Sequence, residues 1–314
     1  MRGLLLLLLS VAGAFAAAGD RVIVAPARIS AVAFSADGSL LAGACADGTV
    51  KFWDVGSGAL NRAMPWSKDP VGFSYSPQAG LIASAGRDMV INLWNVRTGE
   101  ITHRLPGHKK RVGPLAFSHD AKLLASGSFD KTVRIWDVAS GKLLFTLEDG
   151  GLGNPRSLAF SPDGEILVSA NADTNLRVWN VSTGKLERTI EDLPLATFAL
   201  AFSPDGQTLA SGGPDRVIHL WDAKTWKQAR ELIGQPEMVT TLYFSPDGKL
   251  LLSGGGSEFS GARPAEVRVW NTASGNVERS GASLHSVGSV AFSPDGKGVA
   301  FSDRDKTINI WQIR

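Results

Sequence analysis

Apolar residues along this chain fall in short blocks, each bounded by Gly, Pro, Asp, Ser or Thr. One block ends in an aromatic residue followed by Ser, as in Ser157-Leu158-Ala159-Phe160-Ser161. A second, such as Leu123-Leu124-Ala125-Ser126, is apolar on both faces, the pattern of a strand in a sheet covered on both sides. A third, Thr132-Val133-Arg134-Ile135-Trp136, alternates its side chains between faces. A fourth runs through Lys142-Leu143-Leu144-Phe145-Thr146-Leu147. The connections have turn chemistry. Pro-Asp-Gly follows the first block at Pro162-Asp163-Gly164, Pro204-Asp205-Gly206, Pro246-Asp247-Gly248 and Pro294-Asp295-Gly296. In it Pro fixes φ and Asp-Gly tolerates positive φ. The pattern therefore predicts a unit of four short antiparallel strands.

The unit repeats. Trp recurs at 53, 94, 136, 179, 221, 270 and 311, at intervals of 41, 42, 43, 42, 49 and 41. The aromatic-Ser pair keeps step at Phe34, Tyr75, Phe117, Phe160, Phe202, Phe244 and Phe292. Periods of this length signal stacked repeats. One small sheet cannot bury both its faces, whereas seven arranged around an axis bury each against its neighbours. The expected fold is all-β, a seven-bladed β-propeller of four-stranded antiparallel blades over residues 19–314, with no second domain. Only Gln312-Ile313-Arg314 follow Trp311, so the last blade lacks a fourth strand of its own. The β-branched run Arg21-Val22-Ile23-Val24-Ala25 is expected to supply it and close the ring.

The dipeptides Trp53-Asp54, Trp136-Asp137 and Trp221-Asp222, with Trp-Asn at 94, 179 and 270, resemble the WD-repeat β-propellers over about residues 20–314. The frequent Phe-Ser-Pro-Asp-Gly turn is similar to that of bacterial members. In that family a Trp, a strand Ser or Thr, a turn Asp and a loop His form a hydrogen-bonded tetrad within a blade. The resemblance implies such a tetrad in blade three, from His108, Ser126, Asp130 and Trp136. The turn Asp is also present as Asp47, Asp88, Asp173, Asp215 and Asp305, and the Ser as Ser84, Ser169 and Ser211. The Gly-His dipeptide occurs in no other unit, and His285 lies near the right place in blade seven, where Phe301 stands in place of Ser. The other blades are accordingly expected to rely on packing and an incomplete polar network.

Candidate chemistry is sparse. No Gly-Lys dipeptide is followed by Ser or Thr, so there is no Walker-type phosphate loop, and no zinc-protease, nucleophile-elbow or calcium-loop motif occurs. His103, His108 and His119 are close in sequence but fall on different strands and loops, and no metal or cofactor is expected. The repeated acids read as turn residues.

Strand direction places the loops before each first strand and the turns before each third strand on one rim. In WD-repeat proteins that rim and the channel mouth are the usual docking surface. Residues before the turn Asp vary from blade to blade, and Arg87, Phe129 and Arg304 are of interface types. Trp66, Asp69, Lys110 and Arg111 are expected to share the rim. The long sixth interval places about seven extra residues within 254–266, a glycine-rich stretch carrying Phe259 and Arg263, either a binding arm or a tolerated insertion. Trp226 replaces a turn Gly on the opposite rim, where packing over the turn is the expected role.

Residues 3–15 form an apolar run after Met1-Arg2, with six leucines at 4–9 and small residues at 16–18. That is the layout of a secretory signal peptide, expected over residues 1–18 and too short to span a bilayer. Lys plus Arg total 32 against 30 Asp plus Glu, so no electrostatic footprint for nucleic acid exists. A single cysteine excludes a disulfide framework, and Cys45, within an apolar run, is expected in the core.

Together these features predict an exported, non-catalytic scaffold that binds a protein or peptide on the described rim. It is expected to be monomeric and, once the leader is cleaved, not inserted in a membrane. Two alternatives stay open. An enzyme or small-ligand binder using the central channel would draw residues from several blades and leave no contiguous motif. A retained leader would make the scaffold cytoplasmic.

Overall fold

A computed structural model describes residues 20–66, 70–148, 153–191, 193–256, 265–283, 286–303 and 306–313. Among them the chain forms 28 strands and no helix, arranged as seven four-stranded antiparallel sheets. Blade three shows the plan: an inner strand Val112–Phe117, a second Leu123–Ser128, a third Val133–Asp137 and an outer Leu143–Leu147, hydrogen-bonded in that order. The Pro-Asp-Gly hairpins join inner to second strands as the turn chemistry requires, their glycines at φ near +70° at Gly164, Gly206, Gly248 and Gly296.

Blade seven is built from both ends of the chain. Val287–Phe292, Gly298–Asp303 and Thr307–Gln312 come from the C-terminal part, and Arg21–Val24 pairs antiparallel with the last of these. The register runs from Arg21 opposite Ile310 to Val24 opposite Thr307. The closing strand is the one the sequence pattern indicated.

Alternation along the third strands explains the stacking. Trp136 packs into the apolar cluster shared with blade two, while Val133 and Ile135, pointing the other way, join the cluster shared with blade four. Every blade repeats this, giving one buried cluster at each of the seven seams, including that between blades seven and one. Six of the repeat Trp residues, and Phe34, Phe160, Phe244 and Phe292 of the inner strands, are buried. Losing one such indole costs about 3–5 kcal/mol, a large share of a typical folding free energy. Cys45 is fully buried at the seam between blades seven and one, and burial pushes its thiol up to about 11. It is a core residue, kept as the unreactive thiol.

Trp226 stands at φ +58°, the conformation that Gly141 and Gly184 adopt in the corresponding turns. Its ring meets Phe202 edge-on at 6.5 Å and packs on the seam between blades four and five.

Candidate functional site

The tetrad of blade three is complete. Trp136 Nε1 donates to Ser126 Oγ at 2.8 Å, and His108 bridges Ser126 at 2.8 Å and Asp130 at 2.9 Å. Asp130 also accepts from the Lys109 amide and from the Thr132 amide and hydroxyl. Burial works to raise the Asp130 carboxyl, but these bonds outweigh it and hold the group at about 2. Burial pushes the His108 imidazole down despite the carboxylate beside it. The network therefore holds a neutral histidine and fixes the loop ahead of the inner strand. Gly107 is needed there: its φ is +140°, and a Cβ would lie 2.2 Å from the guanidinium of Arg134.

The Trp-to-Ser bond recurs at Ser84, Ser169 and Ser211, and also at Ser253 in blade six, each at 2.8–3.0 Å. Blade six has a substitute for the histidine as well. Gln235 accepts from Ser253 at 3.0 Å and donates to the carbonyl of Glu266, and Gly234 before it has φ +127°. Gly234-Gln235 thus does for blade six what Gly107-His108 does for blade three. Three other blades satisfy the turn Asp differently. The residue two before the Trp reaches back four positions: Lys51 to Asp47, Arg177 to Asp173 at 2.6 Å, and His219 to Asp215 at 2.8 Å. The polar network is more complete than the missing Gly-His dipeptides implied. Its signal was present in the sequence as a basic residue two before the Trp and an Asp six before it.

Blades one and seven lack the Ser. Trp53 lies against Gly43, where a Cβ would sit 2.6 Å from the ring, and Trp311 meets Phe301 edge-on at 4.6 Å. His285 and Asp305 lie outside the described residues.

The hairpin acids are turn residues. Asp163, Asp205, Asp247 and Asp295 each accept from the Ser two positions earlier and from the backbone amide two positions later, and these bonds lower their carboxyls. His103 lies on the outer strand of blade two, His108 in the loop before blade three and His119 in the hairpin of blade three. Among the described residues no group of three or more His, Cys, Asp or Glu is placed to hold a metal.

On the rim, the predicted residues separate. Arg87 and Lys110 are exposed, and Phe129 is half-buried under the guanidinium of Arg111, 4.1 Å from its ring centre. The Phe129 amide also donates to the Arg111 carbonyl, so loop and turn are tied at this point. Trp66 is a correction. It is 5% exposed, packs in the seam between blades one and two, and meets Phe73 edge-on at 5.6 Å. Its indole fills core rather than rim, because the strand before it carries the ring inward before the loop begins. Asp69, Phe259, Arg263 and Arg304 lie outside the described residues.

Sequence reasoning overlooked part of this rim. Arg156, exposed, stacks its guanidinium 5.8 Å from the ring centre of Phe198, bridging blades four and five. Met89, 40% exposed, follows Arg87 by two residues, and Leu195, 47% exposed, precedes the inner strand of blade five. No spacing within one repeat reveals the first pair, since its members belong to different repeats.

The family model for the WD domain, G-beta repeat, matches residues 15–54, 99–137, 141–180, 196–222, 226–271 and 280–312. No match is found among the curated proteins. Residues 55–98, which the family model leaves unmatched, hold the outer strand of blade one and the first three strands of blade two, with the same Trp-to-Ser bond between Trp94 and Ser84. Six matched segments and seven blades in one register show that the chain belongs to the WD-repeat β-propeller family, a fold that commonly mediates protein–protein interaction.

Proposed function

We propose that this chain is an exported, non-catalytic scaffold that holds a protein or peptide partner on the rim formed by the loops before the inner strands and the turns before the third strands. The observation that carries the reading is the pair of Arg–aromatic stacks on that rim, Arg111 over Phe129 and Arg156 over Phe198, with Arg87 and Met89 exposed on the same side. Arg, aromatic residues and Met are enriched where partners bind, and the stacks hold two long side chains in place before a partner arrives. Pre-ordering lowers the entropy cost of association. The carboxylates whose acidity is shifted most are accounted for by turn and tetrad hydrogen bonds, which need no reaction to explain them.

Export is supported by the leader-like layout of residues 1–18, a basic Met1-Arg2, an apolar run and small residues at 16–18. Asp20 and Arg21 already make side-chain bonds to blades six and one, immediately after the small-residue segment at 16–18. Cleavage there removes nothing those contacts use. The test is a pull-down from the exported fraction with wild type and an Arg87→Ala/Phe129→Ala/Arg156→Ala variant of unchanged melting temperature. A specific partner held by wild type and lost from the variant is expected; identical partner sets reject this surface. N-terminal sequencing of the mature protein checks export separately, and an intact Met1-Arg2 terminus rejects it.

A further inference from the structure

One position breaks the repeat on the rim opposite the proposed docking surface. The residue that opens each second strand pairs with the residue after the repeat Trp. It is Leu in four blades (Leu40, Leu81, Leu123, Leu250), Ile166 in blade four and Thr208 in blade five, but Gly298 in blade seven. In blades two, three, four and six this side chain packs in the seam with the next blade. Leu81 lies in the same apolar cluster as Val138, and Leu123 in the same cluster as Val181. At the seam between blades seven and one the corresponding valine, Val55, has no such neighbour, and a cavity of about 400 Å³ opens between it and Gly298.

The walls of this cavity have two characters. Phe34, Val55 and Ile310 present hydrocarbon, while Asp37 and Asp295 present carboxylates, and among the described residues no basic side chain lines it. Hydrogen bonds from Ser35 and Ser39 hold Asp37 at about 2, and those from Ser293 and the Lys297 amide lower Asp295. Both are charged across the physiological range. Arg21 approaches from the outer strand but is committed to the carbonyls of Val55 and Gly56. The volume lies within the range of small-ligand sites, and charge in such a site is selective when the rest of the wall is apolar.

We propose that this cavity binds an aliphatic cation, with a short hydrocarbon stem lying on Phe34, Val55 and Ile310 and an ammonium or guanidinium head facing Asp37 and Asp295. The head is carried either by a free small amine or guanidine or by a Lys or Arg side chain of a partner. The site is independent of the docking rim.

Filling the cavity tests the idea directly. A Cβ on Gly298 would have the Ser293 hydroxyl as its nearest neighbour at 3.3 Å, and the backbone there is not in the left-handed region, so Gly298→Leu introduces the side chain that four of the other blades carry. NMR titrations would use butylguanidinium, neutral n-pentanol and a capped Gly-Arg-Gly peptide. The proteins would be wild type, Gly298→Leu, Gly298→Ala and Asp37→Asn/Asp295→Asn. Saturable butylguanidinium binding to wild type is expected, at least tenfold weaker in Gly298→Leu and intermediate in Gly298→Ala. The double Asn variant should lose the preference for the cation over pentanol. A peptide that binds at least as tightly as butylguanidinium assigns a partner's side chain, and one that binds more weakly assigns a free small cation. No saturable binding to wild type, equal affinity in Gly298→Leu, or equal affinity for pentanol overturns the proposal. Gly298→Ala keeps the test valid if the larger substitution lowers the melting temperature.

Discussion

Asp20 accepts a hydrogen bond from the guanidinium of Arg279 at 2.6 Å, tying the residue before the N-terminal strand to the outer strand of blade six. Asp20 also accepts from the Gln312 amide, and Arg279 donates to the Gln312 carbonyl while stacking 4.7 Å from the ring centre of Trp311. Arg21, the next residue, bonds to the turn of blade one. Two consecutive residues therefore clip three blades, at the one place where the sheet is assembled from opposite ends of the chain.

Removing that clip should be costly. Asp20 is nearly buried and Arg279 mostly so, and a charged hydrogen bond in such a setting contributes about 1.5–3 kcal/mol. Arg279→Ala, which also removes the stack on Trp311, should lower stability more than Asp20→Asn. Deleting residues 21–26 should do far more, because it exposes the edge of Thr307–Gln312 and strips Ile23 from the core. Thermal unfolding of the three variants checks the order; equal melting temperatures for wild type and the deletion would contradict closure by this strand.

Loss of the blade-six serine should be felt as strongly as loss of the one in blade three. Ser253→Ala leaves both Trp270 Nε1 and Gln235 Oε1 without a partner in a fully buried site, at about 1–3 kcal/mol for each unsatisfied group. Ser169→Ala strands only the Trp179 indole, so it should cost less than Ser253→Ala. Urea midpoints of the single variants measure the difference.

Restoring the family pattern in blade one should fail. Gly43 occupies the place of the tetrad serine, yet the Trp53 ring lies where its Cβ would stand. Gly43→Ser should therefore destabilise by about 1–3 kcal/mol, the usual cost of overpacking, instead of adding a hydrogen bond. A raised melting temperature would show that Trp53 can shift aside.

What the sequence made legible follows from what repeats. The Trp residues and the aromatic-Ser pairs do the same job in each blade, and the Pro-Asp-Gly turns in four of them, so their spacing disclosed the blade number, the strand order and the closing strand. Contacts between repeats carry no such periodicity. Arg156 reaches Phe198 across 42 positions, and Trp66 turns into a seam that only the neighbouring blade defines. Gln235 was hidden for another reason. The extra residues before Ala265 displace it from the distance to Trp270 that His108 keeps from Trp136, and amide for imidazole is a substitution that hydrogen-bonding capacity permits but residue identity conceals.

The two histidines bonded to turn aspartates should make stability depend on pH in opposite senses. The Asp215 carboxylate raises the His219 imidazole above its ordinary value near 6.5, so the folded state binds the proton more tightly than the unfolded chain. That contribution is complete below 6.5 and is lost as pH rises through the folded value. Burial lowers His108, so its contribution is complete above 6.5 and is lost as pH falls toward the folded value. Gln is an uncharged hydrogen-bonding replacement at both positions, and Gln235 already fills the place of His108 in blade six. Relative to wild type, His219→Gln should be more destabilised at pH 5.5 than at pH 8, and His108→Gln more destabilised at pH 8 than at pH 5.5. Urea unfolding of the three proteins at the two pH values decides it, and parallel shifts in both variants would show that neither imidazole differs in acidity between folded and unfolded chain.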